Sequence, residues 1–153
     1  MPARSTRPKP GSADQVPCME LTEGEARYLL VLRDLNVGGT PPSQAAVARK
    51  VGVSHPTALE MIRRLRTVDL VAPEALTLTA SGTSAALVLT SRRHAARVLA
   101  QEVLGLDDEQ AAAEADALAT SLSPVLARRL VAWRTRQADA VAVAAATGDA
   151  QDG

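Results

Sequence analysis

The chain has 153 residues and a mass of 16.0 kDa, and 46% of its residues are apolar, which is enough for one modest domain and too few for two full ones. It contains one Tyr, one Trp and no Phe, so its core must be aliphatic, a composition that favours helices over a β-sandwich or barrel. The single Cys18 excludes an intrachain disulfide and a multi-cysteine metal centre. No apolar run approaches the roughly 20 residues that cross a bilayer. We therefore expect a mainly α, cytoplasmic protein without a membrane partner.

The 17 basic and 17 acidic residues cancel, but they are segregated along the chain. Basic side chains dominate between residues 42 and 70, whereas the charges between residues 101 and 124 are all acidic. A local basic patch can hold a polyanion even on a neutral protein, because phosphate contacts act within a Debye length of about 10 Å.

The first elements follow a stretch that is rich in Pro, Gly, Ser and Arg. Residues 1–20 are predicted to be a disordered basic arm. A helix capped by Thr22 follows and ends at the turn over residues 36–39. A second, short helix begins at Ser43 and is terminated by Gly52.

The next segment combines a helix with two short extended runs. The third helix is capped by Ser54 or His55 and has a proline in its first turn. Residues 70–72 and 76–79 are then separated by a short polar tip that contains a proline, a pattern typical of a small β-hairpin.

Three more helices are predicted in the remainder of the chain. The first is capped by Thr79 or Ser81, and the last frays from Ala138 onward. The helices cover residues 82–104, 107 or 108 to 120, and 123 onward. The organisation expected from these elements is an arm over 1–20, a winged helix-turn-helix domain over 21–80, a helical dimerisation domain over 81–140, and a disordered tail over 141–153.

Two short helices around a tight turn, followed by a hairpin, are typical of a winged helix-turn-helix. The two helices cross closely, so the pattern needs small and apolar side chains where they touch and a glycine in the turn. A plain helical hairpin is the alternative. The inward positions are Val47, Ala48, Val51, Gly52, Val53, Ala58 and Met61.

In this motif the outward residues of the third helix face DNA. Ser54 and Thr57 can bind phosphate, as can the backbone N–H groups at the helix start. Leu59 can contact a thymine methyl group, and Glu60 can accept from a cytosine amino group but is otherwise repelled by a polyanion. Arg63 is suited to phosphate. The candidate DNA-binding residues are Ser43, Gln44, Ser54, His55, Pro56, Thr57, Leu59, Glu60, Arg63 and Arg64.

Several short motifs follow one another along the chain. They are Tyr28-Leu29, Thr40-Pro41, Ser54-His55-Pro56-Thr57, Leu78-Thr79-Ala80-Ser81-Gly82, Gly105-Leu106-Asp107 and Arg128-Arg129-Leu130. Their order and spacing resemble those of the diphtheria-toxin-repressor family (DtxR/MntR-like), the iron- and manganese-dependent regulators of bacterial metal uptake, in which the third motif is Ser-Gly-Pro-Thr. The resemblance implies an amino-terminal winged helix, a helical dimerisation region and a metal-activated dimer.

The metal-ligand positions that the resemblance implies are degenerate. The family's helix histidine falls on Arg93, the glutamate one turn later on Arg97, and the first-helix ligand on Arg27. His94 is one position off, which turns its side chain about 100° around the helix, so it is not a ligand candidate. The remaining positions fall on Ala112, Asp116, Ala119 and Thr120.

We therefore hypothesise that built-in charge replaces the metal, with no cofactor. An ion pair between Arg27 and Asp116 would tie the first helix to the dimerisation helices permanently; decay of the site is the alternative. Arg93 and Arg97 lie one turn apart and would repel each other unless an acidic neighbour or a bound small anion lies between them.

These features predict a homodimeric, metal-independent transcriptional regulator, a repressor by family resemblance, that binds a two-fold symmetric site in double-stranded DNA. The alternative is a protein–protein interaction module, an anti-repressor or heterodimer partner, with weak or no sequence-specific DNA binding. We do not expect an enzyme: no nucleophile is grouped with a base, and His55 and His94 lie in separate elements.

Overall fold

The computed structural model describes residues 21–36 and 38–148. The predicted arm over residues 1–20, Cys18 within it, and the last residues of the predicted tail lie outside this part of the chain. The described residues form six helices. They are α1 (Glu23–Leu35), α2 (Gln44–Val51), α3 (His55–Thr67), α4 (Ala80–Glu102), α5 (Asp108–Ser121) and α6 (Pro124–Gly148).

Side-chain caps set where the helices begin. Ser54 rather than His55 caps α3, and Thr79 rather than Ser81 caps α4. At α1 the Thr22 hydroxyl accepts from the Glu25 N–H at 3.3 Å and the Glu25 carboxylate accepts from the Thr22 N–H at 2.8 Å, a capping box. These bonds satisfy N–H groups that have no partner within the helix. The predicted positions of the helix starts are confirmed to within a few residues.

The turn between α2 and α3 has the predicted helix-turn-helix geometry. Gly52 adopts φ 82°, the left-handed region that glycine favours, and donates to the Ala48 carbonyl at 2.9 Å. Val47, Ala48, Val51 and Ala58 are buried as predicted, while the inward Val53 and Met61 are partly buried against the same core.

The prediction of a β-hairpin wing made of two strands is wrong. Residues 70–79 form one isolated antiparallel bridge between Val71 and Leu78, and no strand occurs in the part of the chain that the structure describes. Backbone hydrogen bonds flank the bridge, from the Ala72 N–H to the Thr77 carbonyl at 2.9 Å and from the Thr79 N–H to the Leu70 carbonyl at 3.1 Å, and α4 begins directly afterwards at Ala80. Arg66 also occupies the Ala72 carbonyl, with an Nε–O distance of 3.0 Å.

The last helix is longer than the sequence indicated. Fraying was expected from Ala138, but α6 continues to Gly148. The segment is rich in alanine, the residue with the highest helix propensity, so it stays helical without a buried face. Its side chains from 137 to 146 are exposed.

We name residues 21–36 and 38–79 the helix-turn-helix unit and residues 80–148 the long-helix unit; α4 packs against α1, α5 and α6. The two meet closely at Gly82, where a Cβ would lie 1.9 Å from the Leu70 carbonyl oxygen. The predicted domain boundaries remain predictions. Within residues 21–36 and 38–148, no helix combines the length and apolar character that a membrane span requires.

Candidate nucleic-acid interface

The exposed face of α3 carries most of the candidate DNA-binding residues. At its start the Ser54 hydroxyl accepts from the Thr57 N–H at 3.4 Å, and the two hydroxyl oxygens lie 2.7 Å apart. This pair presents two hydroxyl groups beside the helix N-terminus, a position that favours anions. The exposed candidates on the face are Ser54, His55, Pro56, Thr57, Glu60, Arg63 and Arg64.

Three other candidates are placed differently. Leu59 is half-buried, so only part of its side chain is available to a thymine methyl group. Ser43 is exposed and caps α2 by accepting from the Ala46 N–H at 3.2 Å. Gln44 is half-buried in the first turn of α2. The exposed part of the predicted interface is therefore concentrated on α3.

Arg64 is the α3 candidate with a defined partner in α1. Its Nε donates to Glu25 Oε1 at 2.7 Å; the Arg64 side chain is 61% exposed and the Glu25 side chain 7%. Burial raises the pKa of Glu25, but the hydrogen bonds from Thr22 and Arg64 outweigh it and hold the pKa below its ordinary value. The ionised Glu25 carboxylate on α1 thus stabilises the guanidinium of Arg64 on α3.

A second cluster lies where α1, α4 and α5 meet. Both terminal nitrogens of Arg93 lie 3.3 Å from the two carboxylate oxygens of Asp34, and Nη1 is 3.6 Å from Asp116 Oδ1. Arg93 therefore ties α4 to α1 and α5 at once. Among the described residues Asp116 pairs with Arg93 and not with Arg27, which corrects the predicted ion pair.

Arg27 lies at the same junction without forming that bond. It lines a cavity of about 380 Å³ together with Lys50, Arg93 and Asp116. The predicted Arg27 and Asp116 were thus brought to one place, but the position of Arg93 on α4, within reach of both Asp34 and Asp116, decides which cation is paired. We name Arg93, Asp34 and Asp116 the junction cluster.

Arg97 and His94 have partners outside the junction cluster. Arg97 pairs with Asp108 at 3.3 Å, so each of the two α4 arginines has its own acidic neighbour rather than a shared anion. His94 accepts a hydrogen bond from Arg134 of α6. Partial burial, followed by the nearby charges of Arg134 and Arg97, lowers the pKa of His94 below its ordinary value.

The residues at the family's ligand positions do not fit a divalent cation. Arg93 already inserts a guanidinium between the carboxylates of the junction cluster, and a second positive charge there would be repelled. Ala112, on α5, has no donor atom. In the described part of the chain, no group of three or more His, Cys, Asp or Glu side chains is placed to hold a metal ion.

Sequence reasoning missed Asp34 and the role of Glu25. Asp34 follows Arg27 by seven residues and therefore lies on the same face of α1, a spacing that indicates a shared surface. The contact of Glu25 with Arg64 spans 39 residues, for which no local pattern exists.

Comparison with known proteins finds no matching family model and no matching curated protein. Among solved structures, the chain is similar to the manganese regulator SloR, with 25% identity and a TM-score of 0.64 over 72% of this chain and 53% of that one. A manganese-dependent transcriptional repressor in complex with manganese is similar at 32% identity and a TM-score of 0.64, over 71% of this chain and 51% of the repressor. The chain has the fold of these regulators.

IdeR of T. acidophilum is also similar, with a TM-score of 0.61 over 72% of this chain and 54% of that one, but its 18% identity shows the common fold alone. The chain spans about half the length of these three structures. SloR and the manganese-dependent repressor are regulators and not enzymes, in agreement with the expectation that this chain is not an enzyme.

Proposed function

We propose that this protein is a homodimeric DNA-binding regulator of transcription, a repressor, that acts without metal activation. The observation that carries the proposal is the junction cluster. In a fold shared with manganese-dependent regulators, the guanidinium of Arg93 lies where the family resemblance places a metal ligand and bonds the carboxylates of two other helices.

The exposed face of α3 supplies the DNA contacts in this proposal. The hydroxyls of Ser54 and Thr57 and the N–H group of His55 at the start of α3 bind phosphate, and the following turn enters the major groove. Glu60 accepts from a cytosine amino group there. Arg63 adds phosphate contacts whose strength falls as salt concentration rises.

Arg93 explains why no metal would be needed. A guanidinium stays protonated at all physiological pH values, and its two parallel bonds to Asp34 fix orientation as well as distance. A divalent cation links helices only when its free concentration is high enough, whereas this link is permanent. The pairs are partly exposed, so each contributes only about 0.2–1 kcal/mol, and the effect is one of alignment rather than stability.

The long-helix unit supplies the self-association. Large aliphatic side chains are exposed on α4, on the connection to α5 and at the start of α6, and a second copy would cover them. They are Leu87, Val88, Val103, Leu104, Val125 and Leu126. The paired α3 helices would then read half-sites about 34 Å apart, or a multiple of that distance, on a two-fold symmetric site.

Selection from a pool of random duplexes tests the proposal, followed by fluorescence anisotropy on the selected duplex. We expect the same Kd in EDTA and after addition of manganese, iron or zinc. A tightening of about tenfold or more with any of these metals would contradict metal independence. Arg63→Ala should weaken binding, while Arg136→Ala, an exposed arginine of α6, serves as the matched control.

Arg93→Ala tests the junction cluster itself. We expect DNA affinity to fall about fivefold, a typical coupling between separated sites, because α1 is no longer tied to α4 and α5. Arg97→Ala removes an ion pair of similar geometry that joins only α4 and α5, so its affinity should stay unchanged.

A protein–protein interaction module is the second candidate, favoured by the exposed carboxylate of Glu60 within the α3 face. In that case the selection would enrich no sequence, and binding to any duplex would stay at the level of a generic polyanion. Glu60→Gln would then strengthen that background binding without introducing a preferred sequence.

A further inference from the structure

Glu25 is the one buried charged side chain in the part of the chain that the structure describes. It lies on α1, outside the two helices of the helix-turn-helix motif, yet it is bonded to α3. A buried carboxylate is unfavourable unless its oxygens are satisfied, so its partners indicate what the residue does.

The two oxygens of Glu25 have separate partners. Oε2 accepts from the Thr22 N–H at 2.8 Å and completes the cap of α1. Oε1 accepts from Arg64 Nε at 2.7 Å. The cap of α1 therefore uses only one of the two carboxylate oxygens, and the other oxygen bonds Arg64.

Arg64 lies on the same stripe of α3 as two candidate DNA contacts. Thr57, Glu60 and Arg64 are spaced three and four residues apart, which places them on one helix face. The contact with Glu25 uses only Nε, and the two terminal nitrogens form no hydrogen bond or ion pair with the described residues. Those nitrogens point their donors away from the core, since the side chain is 61% exposed.

We infer that Glu25 is a positioning residue for DNA binding: it holds Arg64 by Nε so that both terminal nitrogens face a backbone phosphate. An unrestrained arginine loses rotamer entropy when it becomes immobilised at an interface, and this loss weakens binding. Arg64 has already lost much of this freedom in the unbound protein. The inference rests on the proposed function.

The direction of the change in DNA affinity distinguishes the positioning of Arg64 from a simple effect of the Glu25 charge. Removing a carboxylate near a polyanion strengthens binding if only charge matters. Positioning predicts the opposite for Glu25→Ala, a Kd about fivefold weaker, from the immobilisation entropy that Arg64 would again lose. Glu25→Gln leaves one acceptor oxygen for two donors, Thr22 N–H and Arg64 Nε, so a part of the loss seen with Glu25→Ala should remain.

A double-mutant cycle with Arg64 is the decisive measurement, using the duplex selected with the unaltered protein. The fivefold effect of Glu25→Ala should disappear in the Arg64→Ala background, because the two residues act through one contact. Arg64→Ala should also lower the slope of log Kd against log salt concentration by about 0.9 for each phosphate that the variant no longer binds.

Thr22→Ala is the matched control for folding. It weakens the cap of α1 as Glu25→Ala does, but leaves the bond to Arg64, so DNA affinity should not change. Equal losses from Thr22→Ala and Glu25→Ala, or additive effects of Glu25→Ala and Arg64→Ala, would overturn the inference while the unaltered protein still binds its selected duplex. If the unaltered protein selects no duplex, the proposed function fails and the inference fails with it.

Discussion

The two units of the molecule have cores of opposite character. The helix-turn-helix unit buries large side chains completely, whereas the buried positions shared by α4, α5 and α6 are alanines. In the first unit the largest fully buried side chains are Leu29, Leu32, Val47, Ile62, Leu65, Leu70 and Val71. In the second, the buried residues where α4, α5 and α6 pack together are Ala95, Ala96, Ala100, Ala111, Ala115, Ala119 and Ala127.

The difference shows where each unit obtains its stability. Burying one Leu, Ile or Val side chain contributes about 1.5–3 kcal/mol, and an alanine methyl group contributes much less. Alanines do allow close approach of helices, but several large aliphatic side chains of the long-helix unit are exposed, with Leu104 64% exposed. The helix-turn-helix unit is therefore stabilised mainly by large buried side chains, whereas the long-helix unit keeps exposed apolar surface that the proposed dimer would cover.

The contact between the units should be the most sensitive position. A Cβ on Gly82 would overlap the Leu70 carbonyl oxygen at 1.9 Å, and a backbone atom cannot move aside as a side chain can. We expect Gly82→Ala to lower the free energy of unfolding by about 3 kcal/mol. Urea unfolding followed by circular dichroism measures this value.

Gly24→Ala is the matched control in the same experiment. Its Cβ would lie 3.3 Å from the terminal methyl group of Met61, which can rotate away, and alanine favours the helix. Equal stability losses for the two variants would show that α4 does not approach Leu70 so closely.

Leu32→Ala tests the first core directly. Leu32 is fully buried, and its truncation should cost about 2–3 kcal/mol through reduced burial and the cavity left behind. Leu104→Ala removes the same atoms from an exposed position and should change the stability by less than about 0.5 kcal/mol. It should instead weaken self-association in sedimentation analysis, and a monomer equally destabilised by both changes would contradict the contrast between the units.

The helices were predictable because their signals are local. Thr22, Ser54 and Thr79 each bond an N–H group three residues ahead, so a short stretch of sequence contains both partners. The αL turn at Gly52 is equally local. Features of this kind indicate the helix starts and the helix-turn-helix motif from the sequence alone.

The errors concern features that depend on distant residues. The wing consists of one bridge with a backbone hydrogen bond on either side, and its Ala72 carbonyl accepts from the Nε of Arg66 on α3. The family resemblance brought Arg27 and Asp116 to one junction, but the choice of Arg93 as the paired cation depends on Asp34, 59 residues away in the chain. Hydrophobic periodicity indicates which helix faces pack together, but it does not indicate which side chains form bonds between those faces.

The smallest expected effect concerns the attachment of α6 to α4. His94 accepts from Arg134, and partial burial and the charges of Arg134 and Arg97 lower its pKa in the folded protein. Because the pKa of His94 is lower in the folded protein than in the unfolded one, its contact with Arg134 stabilises the fold fully above the unfolded pKa of about 6.5. This stabilisation is lost as the pH falls below that value. We therefore expect α6 to loosen as the pH falls from about 6.5, the unfolded value, through the lowered pKa of His94.

Trp133 provides a local measurement of this change, because it is the one tryptophan of the chain and lies half-buried on α6. The midpoint of thermal unfolding followed by its fluorescence should fall over the same pH interval, and His94→Gln should remove most of that fall while keeping an acceptor for Arg134. His55→Gln alters the other histidine, exposed at the start of α3, and should leave the fall unchanged. If His94→Gln retained the full pH dependence, protonation of His94 would not affect the alanine-lined contact between α4 and α6. Packing alone would then hold the long-helix unit together.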